Sequence, residues 1–374
     1  METRARILDA TVSLVNDFGL DRVSMSAVGS RASVSRGTLY TNFETPDSIM
    51  AEKWLEDGER WLAAVAELNF SEFSDALTGA FVDVIFTAPR RLELFEVVRP
   101  TLAAAFAVAR ESGPGGVEIF TWRLAIGLGS VFLQSANLSV NMDLQRSVLE
   151  LLRNANSASL AKNPTSGELL DDQVDIAGTL EGDDVRQQLI RAAVIVVANA
   201  GVENSSSLRI CRLARLTPGA LPAHFASLDE LIAESFRFVF DLIIEENRRE
   251  YLDSLSSPHR AQELARAIGN SLRPERTIWR KLRREMLVAS RANVAVRQQV
   301  EQLLNDTDQR LHDLLVNTGF TPEIVSAFLG VNRALTLGMS GLFDCGLPVD
   351  TVNHYGLANL LATSFGPLRD PQTD

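Results

Sequence analysis

The chain has 374 residues, 46% of them hydrophobic and 22% charged, and a formal net charge of −12. That length exceeds one ordinary core and suits two domains. The composition is that of a folded soluble chain rather than a disordered one, and no apolar run reaches the roughly 18 to 20 residues of a membrane span. The opening METRARILDA reads as a helix and not as a signal peptide, so a cytoplasmic location with no membrane partner is expected.

A net negative charge opposes contact with phosphates, but here the charge is unevenly placed. Residues 162–184 hold seven acidic residues against one lysine, whereas residues 1–53 hold six basic and seven acidic ones. The two cysteines, Cys211 and Cys345, fall on expected helices without the spacing of a metal site and read as buried thiols. No cofactor or metal is expected.

Helical periodicity runs through nearly the whole chain and strand-like alternation is nowhere sustained, which predicts an all-α fold. Ile7, Thr11, Leu14, Val15 and Phe18 mark one face of a first helix that Gly19 closes. Ser24 is placed to cap a short second helix reaching Ala32, and Ser35 a third reaching Phe43. Pro46 opens a long fourth helix, where a missing amide hydrogen costs nothing. Further helices are expected over 70–87, from Pro89 onward, over 117–134 after the glycine-rich break at 113–116, and over 142–161. The acidic stretch 162–184 reads as a linker with a typical reach of about 25 Å. Pro274 opens a helix as Pro89 does, and 321–344 with 349–365 forms a last helical pair.

The second half repeats the first. SVSRGTLYTNF at 33–43 aligns without a gap on RLTPGALPAHF at 215–225, an offset of 215 − 33 = 182. Over 4–50 and 186–232 there are 11 identities in 47 pairs: Arg4, Ala10, Val12, Val15, Gly19, Ser24, Ala32, Gly37, Leu39, Phe43 and Asp47. Chance gives roughly three. RLAIGLGSVFL from Arg123 likewise resembles RALTLGMSGLF from Arg333. A period this long implies two copies of one unit. The expected division is 1–48 and 49–161 for the head and core of one unit, a linker at 162–184, then 185–230 and 231–374 for the head and core of the other. The two units are expected to pack as a pseudo-dimer within one chain.

In each head the spacing suits a helix-turn-helix, whose third helix buries one stripe and turns the other into the major groove. Leu39, Phe43 and Val34 supply the buried stripe, leaving Arg36, Gly37, Thr38, Tyr40, Thr41 and Asn42 outside. Arg36 suits a phosphate or the O6 and N7 of guanine, while Thr38 and Tyr40 offer hydroxyls to phosphate oxygens. Gly37 permits close approach to the sugar-phosphate chain, and Ser24 and Ser35 sit at helix starts whose amides favour anions. A solvated polar face would look similar taken alone.

The ordered set Ala10, Gly19, Ser24, Val28, Val34, Ser35, Arg36, Gly37, Thr38, Leu39, Tyr40 and Phe43 resembles the N-terminal signature of the TetR family of bacterial transcriptional regulators, with Arg36 in place of lysine. The resemblance covers some 45 residues. It implies three helices that read a double-stranded DNA operator, a larger helical domain that takes a small effector, and two last helices that form a four-helix dimer interface. Ser33 stands where the family has a turn glycine, which implies a modest left-handed penalty. Pro46 stands in place of a lysine, so one phosphate contact is expected to be missing.

In the second head the buried Leu216, Leu221 and Phe225 remain, but Arg36, Thr38 and Tyr40 are answered by Pro218, Ala220 and Pro222. Pro222 clashes with the carbonyl of Pro218 in a regular helix at about 3 kcal/mol, so a distorted or shortened helix is expected, with His224 on the surface. Arg209, Arg212 and Arg215 remain able to touch phosphates. With one working head, the chain reads an asymmetric site, or two chains pair to present two heads about 34 Å apart.

Trp61, Phe81, Phe95, Phe106, Phe120 and Trp122 in the first core, and Phe238, Trp279, Met286, Phe328 and Met339 in the second, are candidate lining for a small apolar effector, though ordinary core packing explains each as well. Residues 273–297 hold eight basic residues, with Arg276, Arg280 and Arg284 expected on a solvated face opposite Trp279, Leu282 and Met286. The four histidines, His224, His259, His312 and His354, form no catalytic motif, and no enzyme is expected. The sequence thus points to a DNA-binding regulator, most simply a repressor. The alternative is an effector-sensing or scaffolding helical protein that has lost specific DNA binding.

Overall fold

The structure, a computed structural model, describes residues 2–138, 142–154, 184–256, 260–316 and 322–364. The expected linker lies outside the described residues except for Asp184, as does the part of the expected helix 142–161 beyond residue 154. Every regular element among the described residues is a helix or a 3₁₀ turn. The chain forms two compact units: residues 1–161 with 330–352, and residues 162–329 with 353–374.

The first unit opens with α1 (Glu2–Phe18), which buries Ile7, Leu8, Thr11, Leu14 and Val15 and satisfies the Thr11 hydroxyl by donation to the Ile7 carbonyl at 2.8 Å. Gly19, at φ 74°, turns the chain into a 3₁₀ turn at Leu20–Arg22. Phe18 was expected on the buried face but is 46% exposed; the chain leaves the helical path just after it, and Leu20 is buried instead. Helices α2 (Met25–Ala32) and α3 (Arg36–Asn42) follow, capped by Ser24 and Ser35 as the sequence requires. The fourth, α4 (Pro46–Glu67), has Pro46 in its first turn beneath a capping box made by Thr45 and Ser48.

Several boundaries differ from expectation. Helix α5 (Asp75–Thr87) starts where Ser74 caps it, because residues 70–73 close a turn in which the Phe73 amide donates to the Phe70 carbonyl. Pro89 opens only a 3₁₀ turn, Ala88–Arg90, and α6 (Leu92–Glu111) begins after it with Pro100 inside. In the same way Pro274 opens a 3₁₀ turn, Pro274–Arg276. A fixed proline φ suits either kind of turn, so the residue alone does not choose.

Helices α7 (Gly116–Ser135) and α8 (Met142–Asn154) follow. By length and composition α7 is the one helix among the described residues apolar enough to cross a membrane, and 67% of its apolar window is buried inside the protein.

The second unit holds α9 (Val185–Ala200), α10 (Ser207–Leu213), α11 (Ala220–His224), α12 (Leu228–Ser256), α13 (Arg260–Asn270), α14 (Thr277–Ala292) and α15 (Val294–Val316). Helix α16 (Pro322–Asp344) begins there but belongs to the first unit from Gly330 onward. The expected second core, 231–374, therefore gives up residues 330–352. The cause is local: a Cβ built on Gly129 of α7 would lie 1.9 Å from the Ala334 carbonyl oxygen, a backbone approach that only glycine allows. Within the same unit Gln145 donates to the Gly330 carbonyl at 3.4 Å, and the Cys345 thiol meets the Ile85 carbonyl at 3.5 Å. The expected helix 349–365 is instead a 3₁₀ turn, Val349–Thr351, followed by α17 (Tyr355–Ser364), whose start is fixed by Asn353 accepting from the Tyr355 amide.

Helix α14 corrects another expectation. Trp279, Leu282 and Met286 are buried, but so are Arg276, Arg280 and Arg284, which were expected in solvent. Arg280 donates to the Arg273 carbonyl at 2.7 Å, the Ser271 carbonyl at 3.3 Å and the Thr277 hydroxyl at 3.1 Å, and Arg284 pairs with buried Glu285 at 3.1 Å. The Arg280 guanidinium closes the turn ahead of the helix. Cys211 and Cys345 are both fully buried.

Candidate nucleic-acid interface

The first head is built around Ile7, Leu8, Leu14, Met25, Val28, Leu39, Phe43 and Ile49, with Val34 partly buried in the turn. Ser24 accepts from the Ala27 amide at 3.2 Å and Ser35 from the Thr38 amide at 3.1 Å, so each short helix starts on a side-chain cap. Between them Ser33 takes the left-handed conformation, φ 53° and ψ 47°, at the position where a glycine was missed. Arg6 of α1 donates to the Ser33 carbonyl at 3.1 Å and also to that of Ala32. That clamp offsets the strain of the turn, and nothing in the spacing of Arg6 announced it.

Leu39 and Phe43 are buried, and Arg36, Gly37, Thr38, Tyr40 and Thr41 are exposed, with Asn42 half-buried. Arg36 lies over the Tyr40 ring at 5.5 Å, an arrangement that holds both side chains out from the helix. The Ser35 and Thr38 hydroxyls pair at 2.8 Å. Thr41 and Asn42 turn part of their polar groups back to the Gly37 and Thr38 carbonyls, at 2.9 and 2.7 Å. A Cβ on Gly37 would find only the Ser35 oxygen within 4 Å, at 3.8 Å, so the fold itself does not demand glycine there.

A polar lock, also missed in the sequence, ties this head to the rest of its unit. The buried Asp83 carboxylate accepts from the Leu20 amide at 2.7 Å. Asp21 takes a two-pronged contact from Arg90 at 2.9 and 2.6 Å, and Arg91 bridges Asp21 to Asp47. Burial alone would push the Asp21 carboxyl up, but the hydrogen bonds and charges of Arg90 and Arg91 more than reverse this and hold it below the usual carboxylate range. At the same offset Asp47 recurs at Asp229, and Asp21 is answered by Glu203.

The second triad of helices, α9 to α11, repeats these details at the same offset. Arg4 pairs with Glu52 and lies 4.6 Å over Phe43; Arg186 pairs with Glu234 and lies 4.8 Å over Phe225. Gly19 and Gly201 both have positive φ, as do Ser33 (53°) and Arg215 (58°). Ser206 caps α10 as Ser24 caps α2. The reading helix departs: α11 starts at Ala220 with no side-chain cap and has five residues against seven in α3, the shortening expected from Pro218 and Pro222. Pro222 and His224 are exposed.

Among the aromatic residues of the cores, Trp61 and Phe81 meet edge-to-face at 5.5 Å and both meet Trp54, a residue the sequence reading did not include. Phe106 and Trp122 are buried, whereas Phe95 and Phe120 are only partly so. In the second unit Trp279 meets Phe240 at 4.9 Å, Met286 is buried and Phe238 is partly so. Met339 is buried in the first unit rather than the second, and the side chain of Phe328 lies outside the described residues.

A short helix capped by serine, pinned by an arginine-held left-handed turn and presenting Arg36, Thr38 and Tyr40 to solvent, is the geometry of a helix-turn-helix DNA-binding domain. Residues 7–52 match the family model described as bacterial regulatory proteins, tetR family, and this N-terminal domain is accordingly of TetR type. The chain is 46% identical over 50 residues to an HTH-type transcriptional regulator of Mycobacterium tuberculosis, covering 13% of this chain and 26% of that protein. It is 41% identical over 59 residues to the HTH-type transcriptional repressor KstR of Rhodococcus jostii, covering 16% and 28%. The chain thus matches about a quarter of the length of these relatives. The family to which the domain belongs is one of non-enzymatic DNA-binding proteins.

Proposed function

We propose that this protein is a TetR-type transcriptional regulator, acting as a repressor in the cytoplasm, that grips operator DNA through the first head alone. The observation that carries this reading is the exposed Arg36, Thr38 and Tyr40 on a correctly capped α3, set against their replacement by Pro218, Ala220 and Pro222 on the shortened α11. Ser24, Ser35, Gly37, Thr41 and Asn42 complete the contact surface, chiefly to phosphates.

In this reading the chain is a tandem duplication: heads at 1–48 and 185–230, the remaining helical residues as cores, and the acidic stretch 162–184 between them. Its support is the recurrence of an ion pair, a cation–ring contact, a serine cap and two positive-φ residues at a constant offset. The reciprocal approach of Gly129 to Ala334 and of Gly338 to Ala125 supports an intrachain pseudo-dimer, because in a two-fold contact the glycine of each copy meets the alanine of the other. A small apolar effector, bound in a core beside residues such as Trp61 and Phe81, releases the DNA.

The test is binding of duplex DNA from the gene's own upstream region, followed by fluorescence anisotropy at several salt concentrations. Wild-type affinity falls steeply as salt rises. Arg36→Ala with Tyr40→Ala abolishes binding, while His224→Ala leaves it unchanged. Binding that survives the double substitution removes α3 as the reading helix, and a wild-type chain that binds no DNA favours the sensing or scaffolding alternative.

A further inference from the structure

Helix α10 presents a surface that its counterpart in the first head lacks. Leu208 is 54% exposed and Leu213 47% exposed, and Arg209 and Arg212 are exposed between them. At about 100° per residue these four side chains fall within an arc of roughly 140°, opposite the buried Ile210 and Cys211. Arg215 is exposed just beyond the helix. The aligned residues of the first head are Ser26, Ala27, Ser30, Arg31 and Ser33. The second head has therefore gained two leucines and a cluster of arginines on one helix while its neighbour lost the side chains that read DNA. Leucine offers nothing to a phosphate; exposed leucines set among arginines suit a segment that is both aliphatic and acidic.

The chain itself carries such a segment. Between Glu168 and Asp184, Leu169, Leu170, Val174, Ile176 and Leu180 alternate with Glu168, Asp171, Asp172, Asp175, Glu181, Asp183 and Asp184, with no basic residue among them. It joins the head directly, since Asp184 caps α9 by accepting from the Arg186 amide at 3.3 Å, and α9 packs on α10. The eight residue steps from Ile176 to Asp184 reach up to about 28 Å when extended, more than the roughly 24 Å length of α9. A tether this short gives a local concentration on the order of millimolar, so a weak contact suffices.

We propose that the face of α10 is a docking surface for the chain's own residues 168–176, with aliphatic side chains against Leu208 and Leu213 and carboxylates on Arg209, Arg212 and Arg215. The proposal does not depend on DNA reading by the first head.

The test uses the full chain with Leu170→Cys and Leu208→Cys under mild oxidation. Val294, 57% exposed in the same unit, provides the control pair Leu170→Cys with Val294→Cys, and the two native cysteines are fully buried. The expected result is a disulfide formed at least about tenfold faster at 208 than at 294, at a rate independent of protein concentration. Arg209→Glu with Arg212→Glu slows it, and adding Asp171→Lys with Asp172→Lys restores it. Equal rates at 208 and 294, indifference to charge reversal, or a disulfide formed only between chains overturns the proposal. So does protection of the Leu208→Cys thiol by duplex DNA in a chain also carrying Arg36→Ala and Tyr40→Ala, which would make the face a DNA contact.

Discussion

Gly129 and Ala334 meet backbone to backbone, and Gly338 meets Ala125 in the same way, each glycine's absent Cβ falling 1.9 Å from the opposing carbonyl oxygen. Each helix contributes an alanine and a glycine four residues apart, so the contact is reciprocal. It aligns Ala125 with Ala334 and Gly129 with Gly338, one residue away from the register in which Arg123 and Arg333 correspond. Gly129→Ala or Gly338→Ala must force α7 and α16 apart. Each is expected to lower unfolding free energy by about 3 kcal/mol, the upper end for an overpacked core. The double variant should lose less than the sum, because one separation relieves both clashes. Denaturant unfolding of the three variants checks this, and additive losses would show two independent sites.

Gly37 separates folding from binding. The neighbouring atoms leave room for a methyl group, and alanine is favoured over glycine inside a helix by up to about 1 kcal/mol. Gly37→Ala is therefore expected to melt no earlier than wild type while binding DNA at least several-fold more weakly. A variant that binds as well as wild type would show that DNA does not approach α3 at this point.

The Asp21 lock makes stability pH-dependent. Its carboxyl titrates below the unfolded value of about 4. The contact therefore stabilises the fold fully above that value and is lost as pH falls through the native pKa. Asp21→Asn is expected to cost about 3 kcal/mol near neutral pH, as for one partner removed from a buried pair. The difference from wild type should shrink toward zero in acid. Unfolding curves taken from pH 7 down to the acid limit of folding measure it, and a difference that does not shrink as the pH falls would place the stabilisation elsewhere.

The second head should be repairable. Pro218→Arg, Ala220→Thr and Pro222→Tyr together restore the side chains of α3 and remove both prolines from α11. The triple variant is expected to show a steeper dependence of DNA affinity on salt than wild type, since more phosphates are neutralised. An unchanged slope in a variant whose α11 is demonstrably longer by NMR would mean that the second head cannot reach the duplex.

What the sequence made legible was local. Ser24, Ser35, Gly19 and Pro46 act through their own backbone neighbours, and all four mark the boundaries expected of them. The buried pair Leu39 and Phe43 follows from helical spacing alone. The reading failed where a long side chain finds a distant partner. Arg280 looked solvated because periodicity counts charge, yet its donors reach carbonyls seven and nine residues back. Arg6, Asp83 and Arg91 went unnoticed for the same reason, with partners 26 to 70 residues away. Tyr40 and Arg36 were legible as exposed residues, but their stacking on one another was not.

The return of residues 330–352 to the first unit also has a bearing on biosynthesis. Domains emerging from a ribosome generally fold in order, the leading one first. Here the leading module cannot close around α7 until residues 330–352 have been translated, so the nascent chain carries an unfinished apolar surface while residues 162–329 are being made. Such a protein should lean on chaperones during synthesis more heavily than two independently folding modules of the same size.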